Sequence, residues 1–92
     1  MDYHIKKEDY EAVIEAKKNK IKNQVLESYI SLRKKKGITQ QEVADRTGMR
    51  RTNIVRIETG KSVPTIEVLV KLAEALDMNL EVRMVERELS DE

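Results

Sequence analysis

Cysteine, tryptophan and phenylalanine are absent from these 92 residues, and the chain has only one proline, three glycines and one histidine. The missing cysteines exclude disulfides, thiolate metal sites and cysteine nucleophiles together. Long apolar runs are missing too: nothing approaches the roughly 18 residues of a membrane span, and the charged start does not resemble a signal peptide. A cytoplasmic protein without membrane contact is therefore expected. His4, the one histidine, sits beside the N-terminus, with no partner set for metal binding or catalysis. Glu8 with Asp9, and Asp91 with Glu92, are adjacent carboxylates, unlike the separated, environment-tuned pairs of acid–base chemistry. There is no Gly-rich phosphate loop. No enzyme activity, catalytic residue, metal or cofactor is expected.

Charge is what the chain has in abundance. Charged residues make up 38% of it, hydrophobic residues 39%, and the mean hydropathy is −0.63. A chain this short and polar fits one small domain, marginal alone because area burial barely exceeds conformational entropy. Dimerisation is a common escape. The net charge of +1 hides a polarity. Residues 1–36 carry ten Lys/Arg against six Asp/Glu, residues 37–64 five against three, and residues 65–92 three against eight. That distribution suits a basic face for a polyanion and an acidic end for something else, although a merely solvated surface would look the same.

Hydrophobic periodicity predicts a largely helical chain. Ile21, Val25, Tyr29 and Leu32 recur at helical spacing and predict a helix from near Ile21 to Lys36, stopping at Gly37. Thr39 and Glu42 form a capping-box pattern that opens a short helix ending at Gly48. Arg51 to Glu58 carries Ile54 and Ile57 on one side and ends near Gly60. Thr65 is a candidate N-cap for a helix with the stripe Ile66, Leu69, Val70, Ala73 and Leu76. A weaker helix spans Ile5 to Lys20, with a break expected over Asn19 to Asn23. After Asp77 the period becomes two: Leu80, Val82 and Met84 alternate as in a strand, which would need a partner from elsewhere. Met49, Met78 and Met84 suit core or interface gaps.

The stretch from Leu32 to Leu76 resembles the helix-turn-helix domain of phage repressors, Cro proteins and their bacterial relatives of the XRE family. The resemblance rests on Gly37-Ile38-Thr39-Gln40, Ala44, Gly48, Ile54-x-x-Ile57-Glu58, Gly60-Lys61 and Pro64. Ala44 suits a close helix crossing, and Gly48 a left-handed turn. The second helix of the pair would present Arg51, Thr52, Asn53, Val55 and Arg56 outward, with its N-terminal residues against base edges. Arg51 and Arg56 have the fork for guanine, and Asn53 suits adenine or a phosphate. The resemblance implies base reading at Arg51, Thr52 and Arg56, and phosphate contacts at Gln40, Lys61 and Ser62. It also implies an ion pair between Arg33 and Glu58. Arg50 departs from the family's usual Ser or Thr cap and is expected at a phosphate instead. Thr59 replaces a common Asn.

The fold expected is mainly α: a five-helix repressor-like domain over 21–77, an N-terminal extension helix over 1–20, and a C-terminal strand and acidic tail over 78–92. Leu80, Val82 and Met84 would pair the strand across a homodimer, which also matches a family that reads two half-sites. The whole chain is similar to the small antitoxins of host-inhibition-of-growth toxin–antitoxin systems. That resemblance implies a small basic ribonuclease toxin, neutralised by direct binding, and autorepression through double-stranded operator DNA. The alternative is a stand-alone helix-turn-helix repressor. Toxin contact is expected at the extension helix, on Tyr3, Tyr10, Val13 and Ile14 beside the acidic Glu11 and Glu15. The acidic tail from Glu86 is a competing site, and simple cover for the core is a third role for that helix.

Overall fold

Local chemistry explains where the helices start and stop. The computed structural model describes residues 6–87 and contains α1 (Lys7–Lys35), α2 (Gln40–Thr47), α3 (Arg51–Glu58) and α4 (Ile66–Ala75). At α2 the capping box is complete: Glu42 N–H donates to the Thr39 hydroxyl and Thr39 N–H to the Glu42 carboxylate, both at 3.1 Å. Gly48, at φ 74°, donates its N–H to the Ala44 carbonyl and turns the chain into α3. The Thr65 hydroxyl caps α4 by accepting from Val68 N–H. That helix ends on Asp77, the one non-glycine among the described residues at positive φ (59°). Its N–H donates to the Glu74 carbonyl and that of Met78 to Ala73, a Schellman-type end.

Two expectations are corrected. The break over Asn19 to Asn23 is absent, so the extension and the first domain helix are one 29-residue helix, and among the described residues the domain contains four helices rather than the five expected. Asparagine lowers helix propensity by only about 0.7 kcal/mol or less relative to alanine, and no proline or glycine interrupts the segment. The C-terminal strand is absent too: among the described residues there is no strand, and Leu80–Val85 lacks regular structure. Alternation prescribes a face, whereas a strand exists through ladder hydrogen bonds, and no other described segment offers an edge. Val82, Met84 and Val85 are exposed instead.

The core lies where the short helices converge. Leu26 and Tyr29 of α1, Val43 and Ala44 of α2, Ile54 and Ile57 of α3, and Leu72, Ala75 and Leu76 at α4 are buried together. Met49 and Met78 pack against them. Ala44 is 4% exposed, the close crossing its size suggested. Arg46 ties α2 to the end of α4, donating from Nη1 to the Ala75 carbonyl at 2.6 Å. The core engages only the second half of α1. From Lys6 to Lys18 every residue is exposed, and the first turns project as an arm that stretches the molecule to 48 × 25 × 19 Å. The arm therefore does not cover the core.

Candidate nucleic-acid interface

The left-handed turn at Gly48 sets α3 across α2, and Ile54 (0% exposed) and Ile57 (5%) hold its inner side in the core. Helical spacing then leaves Arg51, Thr52, Asn53 and Arg56 exposed, with Val55 half-buried among them. Two shallow concavities flank this helix. One is lined by Lys34 of α1, Gln40 and Gln41 of α2, and Arg51, Glu58 and Thr59. The other is lined by Asn53 and Arg56 with Met49, Ser62, Pro64 and Thr65. Arg51 thus shares a hollow with Gln40, whereas Asn53 shares one with Ser62, the residue expected at a phosphate. Arg50 and Lys61, at the two ends of α3, are exposed. Arg50 makes no side-chain cap, so its guanidinium is not committed to the start of α3.

Beneath the exposed surface lies a polar brace. Glu58 is at the last position of α3, and its side chain is 6% exposed, against 10% for that of Arg33. Arg33 Nη2 donates to Glu58 Oε1 at 2.8 Å, and Nη1 donates to the Ile38 carbonyl at 2.9 Å. Tyr29 donates its hydroxyl to Glu58 Oε2 at 2.9 Å. Gln40 Nε2 donates to Glu58 Oε1 at 3.2 Å. One carboxylate therefore joins α1, the start of α2 and the end of α3. Burial, and after it the hydrogen bond and charge of Glu58, push the Tyr29 phenol well above its ordinary range. Arg33 Nε is buried without a partner, so one donor of the brace goes unsatisfied.

Tyr29 and Gln40 are the members that sequence reading missed. Tyr29 is four residues before Arg33 on one helix, the spacing of a shared face, and that was the available signal. Gln40 was expected on a phosphate, yet its amide reaches the carboxylate. Thr59 donates its hydroxyl back to the Val55 carbonyl at 2.9 Å. Of the residues expected at a toxin, Tyr10 (54%), Val13 (39%) and Ile14 (46%) are exposed together on the arm, with Glu11 and Glu15 also exposed. Glu15 pairs with Lys18 at 2.7 Å. Tyr3 and the tail beyond Arg87 lie outside the described residues. Among the described residues, no helix is long and apolar enough to cross a membrane.

Residues 30–82 match the helix-turn-helix family. An uncharacterized HTH-type transcriptional regulator of Sinorhizobium fredii is 36% identical over 52 residues, covering 56% of this chain and 68% of that protein. A similar regulator of Archaeoglobus fulgidus is 39% identical over 49 residues, 53% of this chain and 70% of the relative. The cryptic phage CTXphi transcriptional repressor of Vibrio cholerae is 40% identical over 43 residues, 47% of this chain but only 38% of its own length. Among solved structures, a toxin–antitoxin module from Streptococcus pneumoniae matches with a TM-score of 0.61 and 26% identity, over 90% of this chain and 85% of that one.

Proposed function

The chain belongs to the helix-turn-helix family, and from that premise we propose that it is an antitoxin that also represses its own operon. In this reading a homodimer binds operator DNA. Arg51, Thr52, Asn53 and Arg56 read bases, while Arg50, Lys61 and Ser62 hold phosphates together with the second amide N–H of Gln40, the first being on Glu58. Arg33 and Glu58 keep α3 at its angle to α2 and do not touch the duplex. The arm binds a small basic ribonuclease toxin through Tyr10, Val13 and Ile14, and Glu11 and Glu15 favour encounter with a basic surface.

The observation that carries the antitoxin reading is the extent of the match to the Streptococcus toxin–antitoxin module. The relatives named as regulators or repressors cover about half of the chain. The toxin–antitoxin module is similar over 90% of it, and a match that leaves out a tenth must reach into the exposed twelve-residue stretch from Lys7 to Lys18. Tyr10, Val13 and Ile14 of the arm are exposed and take no part in the core, which leaves them available to a partner.

Co-expression with the product of an adjacent small basic reading frame tests the reading. The two proteins should copurify, and deleting residues 1–18 should abolish both copurification and protection of cells while operator binding persists. A deletion variant that still protects would move the contact to the acidic tail. A full-length chain that binds its own promoter yet captures no neighbour product would establish the stand-alone repressor, the reading favoured by similarity to the Vibrio phage repressor.

A further inference from the structure

Helix α3 carries three apolar side chains, and one of them has no place in the core. Ile54 is 0% exposed and Ile57 5%. Val55 is half-buried, yet it belongs neither to the buried cluster nor to the apolar side chains packed on that cluster. It lines neither of the concavities that flank α3. At 3.6 residues per turn, Val55 lies about 40° round the axis from Arg51 and about 60° from Thr52, between their directions and one turn further on. Arg51, Thr52 and Arg56 are all exposed. Val55 is therefore the apolar member of the outward face of α3, with one arginine a turn before it and another directly after.

Helix propensity does not account for valine at this position. Its branched side chain crowds the preceding turn and makes it one of the weaker helix formers. The outward face of an eight-residue helix is better served by alanine, lysine or glutamate. What valine supplies is stiffness. In a helix its χ1 angle holds one rotamer almost throughout, so the two methyl groups stand at fixed points and lose little freedom on contact. The side chain has neither donor nor acceptor. In the major groove, the apolar feature that a base pair offers is the C5-methyl group of thymine.

From these observations we propose that Val55 is a specificity-determining residue that reads a thymine methyl, so that each half-site holds a thymine close to the base read by Arg51. The proposal rests on the DNA-binding reading above and adds to it a contact made without a hydrogen bond. Four residues of helix rise about 6 Å and successive base pairs about 3.4 Å, so the thymine belongs within about two base pairs of the Arg51 position. The methyl of Thr52, three residues before Val55, extends the same apolar strip.

Replacing thymine by uracil deletes that methyl and leaves every hydrogen-bonding group in place. Operator duplexes selected from random DNA by the full-length chain, then carrying one uracil at a time, measure the contact. One uracil per half-site, within two base pairs of the position whose preference Arg51→Ala relaxes, should weaken the wild-type chain about fourfold, the worth of one buried methyl group. Val55→Ala should lose at least as much on the thymine duplex and be indifferent to that uracil. Its melting temperature should not fall and its salt slope should match the wild type, since neither a core contact nor a charge is removed. A uracil penalty that Val55→Ala retains would give the methyl contact to another residue, and no penalty at any thymine would remove the contact altogether. A Val55→Ala chain that melts well below the wild type, or that loses affinity for all duplexes alike, would make Val55 a packing residue instead. A wild-type chain that selects no duplex would defeat the DNA-binding reading itself, and the contact with it.

Discussion

Replacing Arg33 with methionine isolates the contribution of the brace. The substitution keeps an unbranched side chain as far as the position of Nε, removes the guanidinium, and leaves the Glu58 carboxylate, 94% buried in the native chain, with two donors, Tyr29 and Gln40, in place of three. Breaking a buried pair from one side costs about 3–5 kcal/mol, because the remaining charge is uncompensated. A domain of this size has roughly 5–14 kcal/mol of total stability, so the loss is a large fraction of it. At about 4–8 °C per kcal/mol, the melting temperature should fall by on the order of 12 °C or more. Urea unfolding followed by the helical circular dichroism signal measures it, since the chain lacks tryptophan. Arg33→Met combined with Glu58→Gln should cost less than the two singles together, because the orphaned charge has gone. A loss under about 1 kcal/mol for Arg33→Met, the range of a surface pair, or strictly additive singles, would refute the brace.

Three other outcomes follow from the same structure. Arg51→Ala should weaken operator binding by about 1–3 kcal/mol and relax preference at one base pair per half-site, while Lys61→Ala should weaken all sequences alike and lower the salt slope by about one; titrations on operator and scrambled DNA at several salt concentrations separate them. The Thr39 N–H and hydroxyl hold the Glu42 carboxyl below its ordinary value, so this stabilisation is present above the unfolded carboxylate pKa and is lost as pH falls through the lower folded one. Thr39→Ala removes the hydroxyl and keeps the N–H, so it should cost about 1 kcal/mol of capping and flatten that part of the acid-unfolding profile only in part. Asp77→Gly should raise stability by up to about 1 kcal/mol in urea melts, because Asp77 holds a left-handed backbone that glycine adopts without a Cβ clash.

Much of this architecture is legible in the chain because its signals are local. Thr39 with Glu42, Thr65 before Ile66, and Gly48 after Thr47 each act within one turn, and each marks a boundary that the structure has. Arg33 and Glu58, 25 residues apart, could be joined only through resemblance to a family. Tyr29 shows how a local clue passes unread: the four-residue spacing to Arg33 was visible, but nothing in the sequence says that both face one carboxylate. The bond from Arg46 to the Ala75 carbonyl has no sequence signature, since any residue supplies a carbonyl. The break expected near Asn19 gave too much weight to a small propensity difference against the continuity of a helix anchored further on. The strand expected at Leu80 inferred an edge from alternation, which cannot supply the opposing ladder.

Because α1 is unbroken, its amide hydrogens should exchange with solvent on a gradient. At 1.5 Å per residue, Tyr10 stands about 35 Å along the axis from Arg33. The amides near Leu26, Tyr29 and Arg33 open only when the core opens. Those of Lys7 to Lys18 belong to a twelve-residue stretch, at the lower edge of the roughly 12–15 residues below which an isolated helix is marginal in water, and they open by fraying. Any molecule that grips the arm must therefore lower exchange there while leaving the protection around Arg33 as it was. Deuterium uptake along this single helix separates binding at one end from binding at the other.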